Sequence, residues 1–324
     1  MKNISILVPE SSVMQAVADP QYCFEMVNHF LLASGRAALF NVQLVGMKRE
    51  IKLNGGKYAI RTDFLLKEVD QTDLIFIPAL SGDMSKAVRA NQDAIPWIVA
   101  QHQKGAEVAS LCVGAFLLAS TGLLNGKKCS THWGFHNEFR DMYPEVDVQD
   151  GSVVTEEKGI YSSGGANSYW NLLLHLVEKY TDRETAILVS KYFAIDIDRS
   201  SQAAFAMFKA QKNHTDEAIK KIQDFIESNI DERITIDELA DKALIGRRSF
   251  ERRFKQATNN SVLEYIQRVR IESAKRSFEN SRKNINEVMF DVGYTDSKAF
   301  RSTFKKITGL TPVAYRNKYN KMAK

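Results

Sequence analysis

Arg247-Arg248-Ser249-Phe250-Glu251-Arg252-Arg253-Phe254 returns in outline fifty residues later, as Phe300-Arg301-Ser302-Thr303-Phe304-Lys305-Lys306. At that offset Phe250 and Phe254 map onto Phe300 and Phe304, while Thr258, Ser261 and Tyr265 map onto Thr308, Thr311 and Tyr315. Residues four apart share one face of a helix. Each copy therefore predicts a helix with an aromatic anchor on one side and arginine or lysine on the others. An apolar anchor with a basic exposed face, presented twice, suits two grooves of one DNA duplex.

Working outward, each copy is preceded by a short helical pattern. Thr235 with Glu238 forms a capping-box pair, Ile236, Leu239, Ala240 and Ala243 face inward, and Leu244-Ile245-Gly246 makes the turn into Arg247. In the second copy Asn284 or Asn286 starts the helix, Ile285, Val288, Met289 and Val292 face inward, and Gly293-Tyr294-Thr295 makes the turn to the capping Asp296. A long helix over 261–278 joins the copies, and an amphipathic helix capped by Thr215 precedes both. The spacing predicts two helix-turn-helix motifs with recognition helices near 247–256 and 296–307, about 34 Å apart. Arg247, Arg248, Glu251 and Arg252 on the first, and Ser297, Lys298, Arg301 and Lys305 on the second, lie away from the phenylalanines. Arginine reads guanine in the major groove and lysine holds phosphate.

Charge supports this division. From residue 215 onward the chain holds 23 basic and 16 acidic residues, against 21 and 23 before it. From Arg247 the balance is 19 to 7, the sign expected of a surface that meets a polyanion. With 324 residues, 44% hydrophobic, the chain is long enough for about two domains. No apolar run reaches membrane-spanning length, and Cys23, Cys112 and Cys129 are few and odd in number, which points to reduced thiols in the cytoplasm. No Gly-rich phosphate loop stands in a strand-to-helix context, so no cofactor is expected.

Before residue 211 the pattern changes. Ile4–Val8, Val42–Val45, Leu74–Ile77 and Val108–Leu111 are apolar runs of strand length, and 21–34, 85–103 and 114–124 are helical patterns. This alternation predicts a doubly wound, flavodoxin-like α/β domain. Residues 56–62 and 146–162 read as short meandering strands, with a turn at Asp150-Gly151. The chemically suggestive stretch runs from Glu107 to Phe116, where a strand ends at Cys112 and Gly114 opens a helix. That is the logic of a nucleophile elbow, in which a helix N-terminus lowers the thiol pKa, and His132 is the candidate base. The competing reading is a core cysteine, since cysteine is among the most buried residue types. His132, His136 and Cys129 lack a fourth ligand at useful spacing, so no metal is expected.

Cys112-Val113-Gly114-Ala115-Phe116-Leu117-Leu118-Ala119, Thr121–Gly126, Thr131-His132-Trp133, Gly164-Gly165-Ala166, Asn171–Val177 and Arg199-Ser200-Ser201-Gln202 together resemble the DJ-1/PfpI-like (class I glutamine amidotransferase-like) domain of GlxA-type transcriptional regulators. Leu239-Ala240, Ser249–Lys255, Val269–Ala274, Asp291–Tyr294 and Thr308–Arg316 resemble the AraC/XylS-family helix-turn-helix domain. The resemblance implies a DJ-1/PfpI-like sensor and dimerisation domain over 1–210, with a helical connector at about 182–210. It also implies an all-α DNA-binding domain over 211–324. It places a ligand pocket at Gln15, Cys112, Val113 and His132. Gln15 stands where the enzymes of the family carry an acid, Pro78-Ala79-Leu80 where they often have two glycines, and Asn171 where these regulators usually have aspartate. The expectation is therefore a catalytically degenerate sensor and a cytoplasmic homodimeric regulator. Its partners would be double-stranded DNA, an unknown small effector and RNA polymerase. The alternatives are a cysteine hydrolase or glyoxalase-like enzyme, or a thiol redox sensor, attached to the same DNA-binding domain.

Overall fold

The computed structural model describes residues 1–197, 201–208 and 210–320. It divides into two compact units, Met1–Gln202 and Ala203–Lys324.

The strands of the first unit are β1 (Lys2–Leu7), β2 (Phe40–Gly46), β3 (Glu50–Leu53), β4 (Tyr58–Arg61), β5 (Phe64–Leu65), β6 (Leu74–Ile77), β7 (Glu107–Ser110), β8 (Lys128–Cys129), β9 (Asp147–Val148), β10 (Val154–Glu157) and β11 (Ile160–Ser163). Seven form one sheet in the order β10-β11-β7-β6-β1-β2-β5, with neighbours parallel except at the β10–β11 hairpin. The helices are α1 (Met14–Ala33), α2 (Met84–Ala90), α3 (Ile95–Gln103), α4 (Ala115–Ser120), α5 (His136–Met142), α6 (Tyr169–Tyr180) and α7 (Arg183–Phe193). Parallel strands covered on both faces must be apolar throughout. All four residues of β6 are buried, and one continuous core joins the sheet to helices on α1, α4 and α6.

Two local expectations need correction. The helix read over 85–103 is two helices, because the chain turns at Asn91–Ala94 and Pro96 suits only the first turn of a new helix. The turn expected at Asp150-Gly151 is present, between β9 and β10, and the β10–β11 hairpin adds a second turn at Lys158-Gly159, both at positive φ. A two-residue loop with both φ positive matches the twist of a hairpin. Among the described residues of the connector over 182–210, helix is confined to α7, which stops at the left-handed Ala194, and a short turn at Ala203–Phe205. Arg199 and Ser200, part of the family resemblance, lie outside the described residues.

Among its described residues the second unit is all helical: α8 (Glu217–Ser228), α9 (Ile236–Lys242), α10 (Arg247–Thr258), α11 (Val262–Asn280), α12 (Ile285–Asp291), α13 (Ser297–Thr308) and α14 (Pro312–Tyr319). Its first core gathers Ile222, Leu239, Phe250, Phe254, Tyr265 and Ile266; its second gathers Ile271, Phe278, Val288, Phe300, Phe304 and Tyr315. The unit begins at Ala203, ahead of the expected 211, because Phe208 and Ala210 pack on the first core. Asp216, not Thr215, caps α8, accepting from Ile219 N–H at 3.2 Å, and Asn284 caps α12. A cap of this kind is worth about 1 kcal/mol.

Candidate functional site

At the end of β7 the chain makes the expected elbow. Cys112 is held at φ 55, a conformation that a non-glycine residue adopts only when its surroundings fix it. The Cys112 N–H donates to Ser163 Oγ at 3.3 Å, and its carbonyl accepts from Thr131 Oγ1 at 3.1 Å. Gly114 is required: a Cβ there would lie 2.4 Å from the Ile77 carbonyl oxygen and 2.6 Å from that of Pro78. The elbow therefore closes directly onto the end of β6.

The thiol itself departs from the expectation of a lowered pKa. Cys112 is 6% exposed, and burial pushes its pKa up to about 12, with the Val113 backbone N–H offsetting only part of the effect. The following helix is six residues long, too short to outweigh the loss of water. Cys23 and Cys129 are also buried, so the reading of an accessible, low-pKa thiol does not hold for any of the three. The core-cysteine reading fits.

His132 does not partner this thiol. Its Nδ1 accepts from Gly134 N–H at 3.0 Å, and its ring lies against Trp133 and Phe135. Burial lowers the His132 pKa, and the neighbouring His136 adds to the shift. Among the described residues no hydrogen bond links His132 to Cys112, or Gln15 to either. Gln15 is exposed on the first turn of α1, while Val113 is buried.

An acid does stand close by, one helical turn beyond Gln15. Asp19 Oδ2 accepts from Tyr169 Oη at 2.6 Å and from Trp170 Nε1 at 2.9 Å. Burial, the Asp19 bond and charge, and the adjacent Cys112 thiol all raise the Tyr169 pKa. Tyr169 thus neighbours Cys112 and shares Asp19 with Trp170, and sequence reading missed Asp19 and Tyr169. The available cue was the four-residue step from Gln15, which keeps Asp19 on the same face of α1. Asn171, one residue further along α6, donates to the Asp196 carbonyl at 2.6 Å.

Two buried side chains brace the loop carrying His132. His136 Nδ1 lies 2.9 Å from Asp150 Oδ1, and its Nε2 lies 3.2 Å from the Thr131 carbonyl oxygen. Burial alone would raise the Asp150 carboxyl, but hydrogen bonds from His136 and Arg140 hold it well below the usual carboxylate range. Gln202, the last residue of the unit, is 1% exposed. Its amide donates to the Thr131 and Ser152 carbonyls at 3.0 and 3.1 Å and accepts from Gly165 N–H at 2.9 Å. Gly164 must lack a side chain because a Cβ would fall 2.2 Å from that amide. The exit from the first unit is thereby fixed to the loop beside the elbow. No group of three metal-ligating side chains occurs among the described residues.

The second unit carries the basic heads. Phe250, Phe254, Phe300 and Phe304 are fully buried, so each helix presents its remaining faces outward. Arg247, Arg248, Arg252, Lys298, Arg301 and Lys305 are exposed, with Glu251 and Ser297 half-buried. Arg247 is paired with Asp237 at 3.0 Å, and Arg253, which sequence reading did not single out, with Asp216 at 2.8 Å. Gly246 starts α10 without a side-chain cap, whereas Asp296 Oδ1 caps α13 through Ala299 N–H at 2.5 Å. Asn259 and Gly309 end the two helices in the left-handed conformation. A groove of about 390 Å³ beside α10 is lined by Ile236, Glu251, Arg252, Lys255, Val262 and Leu263.

Known proteins resemble the chain in the same two parts. Residues 23–179 match the DJ-1/PfpI family, and residues 239–318 match a helix-turn-helix domain. The chain is therefore a DJ-1/PfpI domain followed by an AraC-type helix-turn-helix domain. Among such two-part proteins it fits the GlxA type. It is 26% identical over 216 residues to the HTH-type transcriptional regulator ArgR of Pseudomonas aeruginosa, covering 66% of this chain and 65% of that one. With the regulator GbdR of the same species it shares 24% identity over 222 residues, 68% of this chain and 60% of that one. With GlxA of Rhizobium meliloti it shares 22% over 217 residues, 66% of each. The chain thus spans 60% to 65% of the length of the first two of these relatives. A Vibrio parahaemolyticus protein, solved as a candidate transcriptional regulator, matches at TM-score 0.53 and 22% identity over 59% of this chain and 98% of its own, which shows the fold. No helix among the described residues is long and apolar enough to cross a membrane.

Proposed function

We propose that the chain is a sequence-specific DNA-binding transcriptional regulator. In this reading α10 and α13 each enter a major groove, and the DJ-1/PfpI domain binds a small effector near Cys112. The observation that carries the DNA reading is the doubled head: two helices anchored by paired phenylalanines, each with arginine or lysine on its exposed face. Arg248, Glu251 and Arg252 would meet bases from the first head, and Lys298 and Arg301 from the second, with Arg247, Ser297 and Lys305 toward the backbone. At equivalent positions the heads carry Glu251 and Arg301, an acceptor against a donor fork, so they would read different bases.

The sensor domain is read as a binder and not an enzyme. A thiol held near pKa 12, a histidine bonded to a backbone amide, and glutamine in place of the family acid support that reading. Asp19, Tyr169, Trp170, Cys112 and Val113 would line the effector pocket. Exposed Tyr22 and Leu32 on α1 and Leu188 and Tyr192 on α7 support a homodimer through this unit. The regulator would act in the cytoplasm, with RNA polymerase as its downstream partner.

Coupling would run through the segment after Gln202. Tyr319 Oη donates to the Ala204 carbonyl at 3.3 Å, buried Lys275 Nζ to that of Ala206 at 2.7 Å, and Phe208 N–H to Glu272 Oε2 at 3.1 Å. An effector that binds two sensor states unequally would shift DNA affinity by that difference. The test is selection by the full chain from a pool of random DNA duplexes. Enrichment of a site with two conserved blocks about one helical turn apart supports the proposal, and a pool that stays random refutes it.

A further inference from the structure

Helix α11 passes from one head to the other, and a single side chain stands at the changeover. Ile266 is the last buried α11 residue in the first core, with half-buried Val269 still packed against it, and Ile271 is the first in the second. Between them, Arg270 reaches out from the helix and ties together two turns. Its Nη2 donates to the Glu232 carbonyl at 2.5 Å, in the turn that follows α8 of the first head. Its Nη1 donates to the Gly293 carbonyl at 3.2 Å, in the turn between α12 and α13 of the second. The guanidinium also lies 5.7 Å from the Tyr294 ring centre, and Tyr294 packs on Phe300 of the second core.

The two turns are pressed together at the same place. A Cβ on Gly293 would fall 2.5 Å from the Ile230 carbonyl oxygen and 2.9 Å from Arg270 Nη2. Ile230 itself packs against the second core although it follows a helix of the first. A planar fork with several donors can bond two separate carbonyls at once, which a single ammonium on a flexible stem does less well.

We infer that Arg270 is the positioning residue that fixes the spacing and rotation of the two DNA-reading helices, and so sets the separation of half-sites the protein accepts. This rests on the DNA-binding reading above and adds a determinant that touches neither bases nor phosphates. A continuous helix alone fixes one axis; clamping the turns on either side of it removes rotation of one head about that axis. With the clamp gone each head keeps its own core and its own contacts, but the pair no longer arrives at two grooves as one rigid unit.

The test uses full-length wild type, Arg270→Lys and Arg270→Met on duplexes built from the two blocks found in the random-pool selection. The duplexes carry the selected spacing or an insertion of one to three base pairs, and a further duplex carries one block only. Wild type should bind the inserted duplexes about 10- to 100-fold more weakly, since each inserted pair rotates the second block. In both variants that penalty should fall to about 3-fold or less. Affinity for the single block and base preferences within each block should remain as in wild type. Arg270→Lys keeps the stem and charge, and a thermal melt followed by circular dichroism establishes that each variant is folded. A folded variant that keeps the full spacing penalty overturns the inference, and so does one that loses the base preference of one block. A wild-type protein that selects no blocks overturns the DNA-binding reading, and this inference with it.

Discussion

Leu244 and Gly293 occupy the same place in the two helix-turn-helix motifs, and only one of them is a glycine. Each follows the first helix of its motif at positive φ, 54° for Leu244 and 75° for Gly293. Leu244 N–H bonds to the Asp241 carbonyl and Ile245 N–H to that of Ala240; Gly293 N–H bonds to Phe290 and Tyr294 N–H to Met289 in the same pattern. This is the Schellman closure of a helix C-terminus. The difference lies outside the turn. Leu244 is 93% exposed, while Gly293 lies against the Ile230 carbonyl.

That contrast sets the first prediction. Leu244→Gly relieves the left-handed strain, partly offset by the entropy of a more flexible unfolded chain, and should stabilise the second unit by about 0.5–1 kcal/mol. Gly293→Ala drives a Cβ into a carbonyl at an unfavourable φ and should cost about 2–4 kcal/mol. Urea unfolding of both variants reads the two signs. Equal effects would show that the turns are not differently confined.

Gln202 should matter to the sensor domain more than a residue at the end of a unit usually does. Gln202→Ala leaves the buried Gly165 N–H without its partner and removes one of the two donors on each of the Thr131 and Ser152 carbonyls, which should cost about 1–3 kcal/mol. The loss should appear as a lower thermal midpoint of the first unit. A change below about 0.5 kcal/mol would place the Thr131 loop under other control.

Asp150 gives a pH signature. Its folded pKa is depressed by His136 and Arg140, so the stability it adds is present above the unfolded value and lost as pH falls through the folded one. Asp150→Asn should therefore lower the urea midpoint by a constant amount from pH 7 down to about pH 5, and the gap to wild type should narrow only below about pH 4. A gap that changes between pH 5 and 7 would mean that the Asp150 carboxyl does not govern the cluster.

The cysteines should be inert in the folded protein. With the Cys112 pKa near 12, native-state labelling by a disulfide reagent at pH 8 should be slow at all three thiols and complete only after unfolding. Cys112→Ala should leave DNA binding unchanged. One fast equivalent, lost in that variant, would restore the redox alternative.

The two-part architecture was readable from the chain because its signals are local or repeat. The phenylalanine pairs at 250/254 and 300/304 recur at one offset, and β6 is apolar at every position. What lay hidden depends on contacts between distant residues. Asp19 meets Tyr169 and Trp170 some 150 positions away, and Gln202 meets Thr131 across 71. The elbow at Cys112 was visible in Gly114, but the thiol's pKa follows from burial, which the local pattern does not encode. The turn at Asp150-Gly151 was legible from its residue types, whereas the second turn, at Lys158-Gly159, follows only from the pairing of β10 with β11.

The central claim is that two unlike heads read one duplex. The most direct measurement is a binding titration of full-length protein on the selected two-block duplex and on a scrambled duplex of equal length, at about 0.15 M salt. The account predicts a preference for the selected duplex of about 1,000-fold or more. Arg301→Ala should lose about 1–3 kcal/mol at the second block alone. Lys305→Ala should weaken both duplexes alike and reduce the salt slope by about one. Equal affinity of wild type for the two duplexes would contradict it.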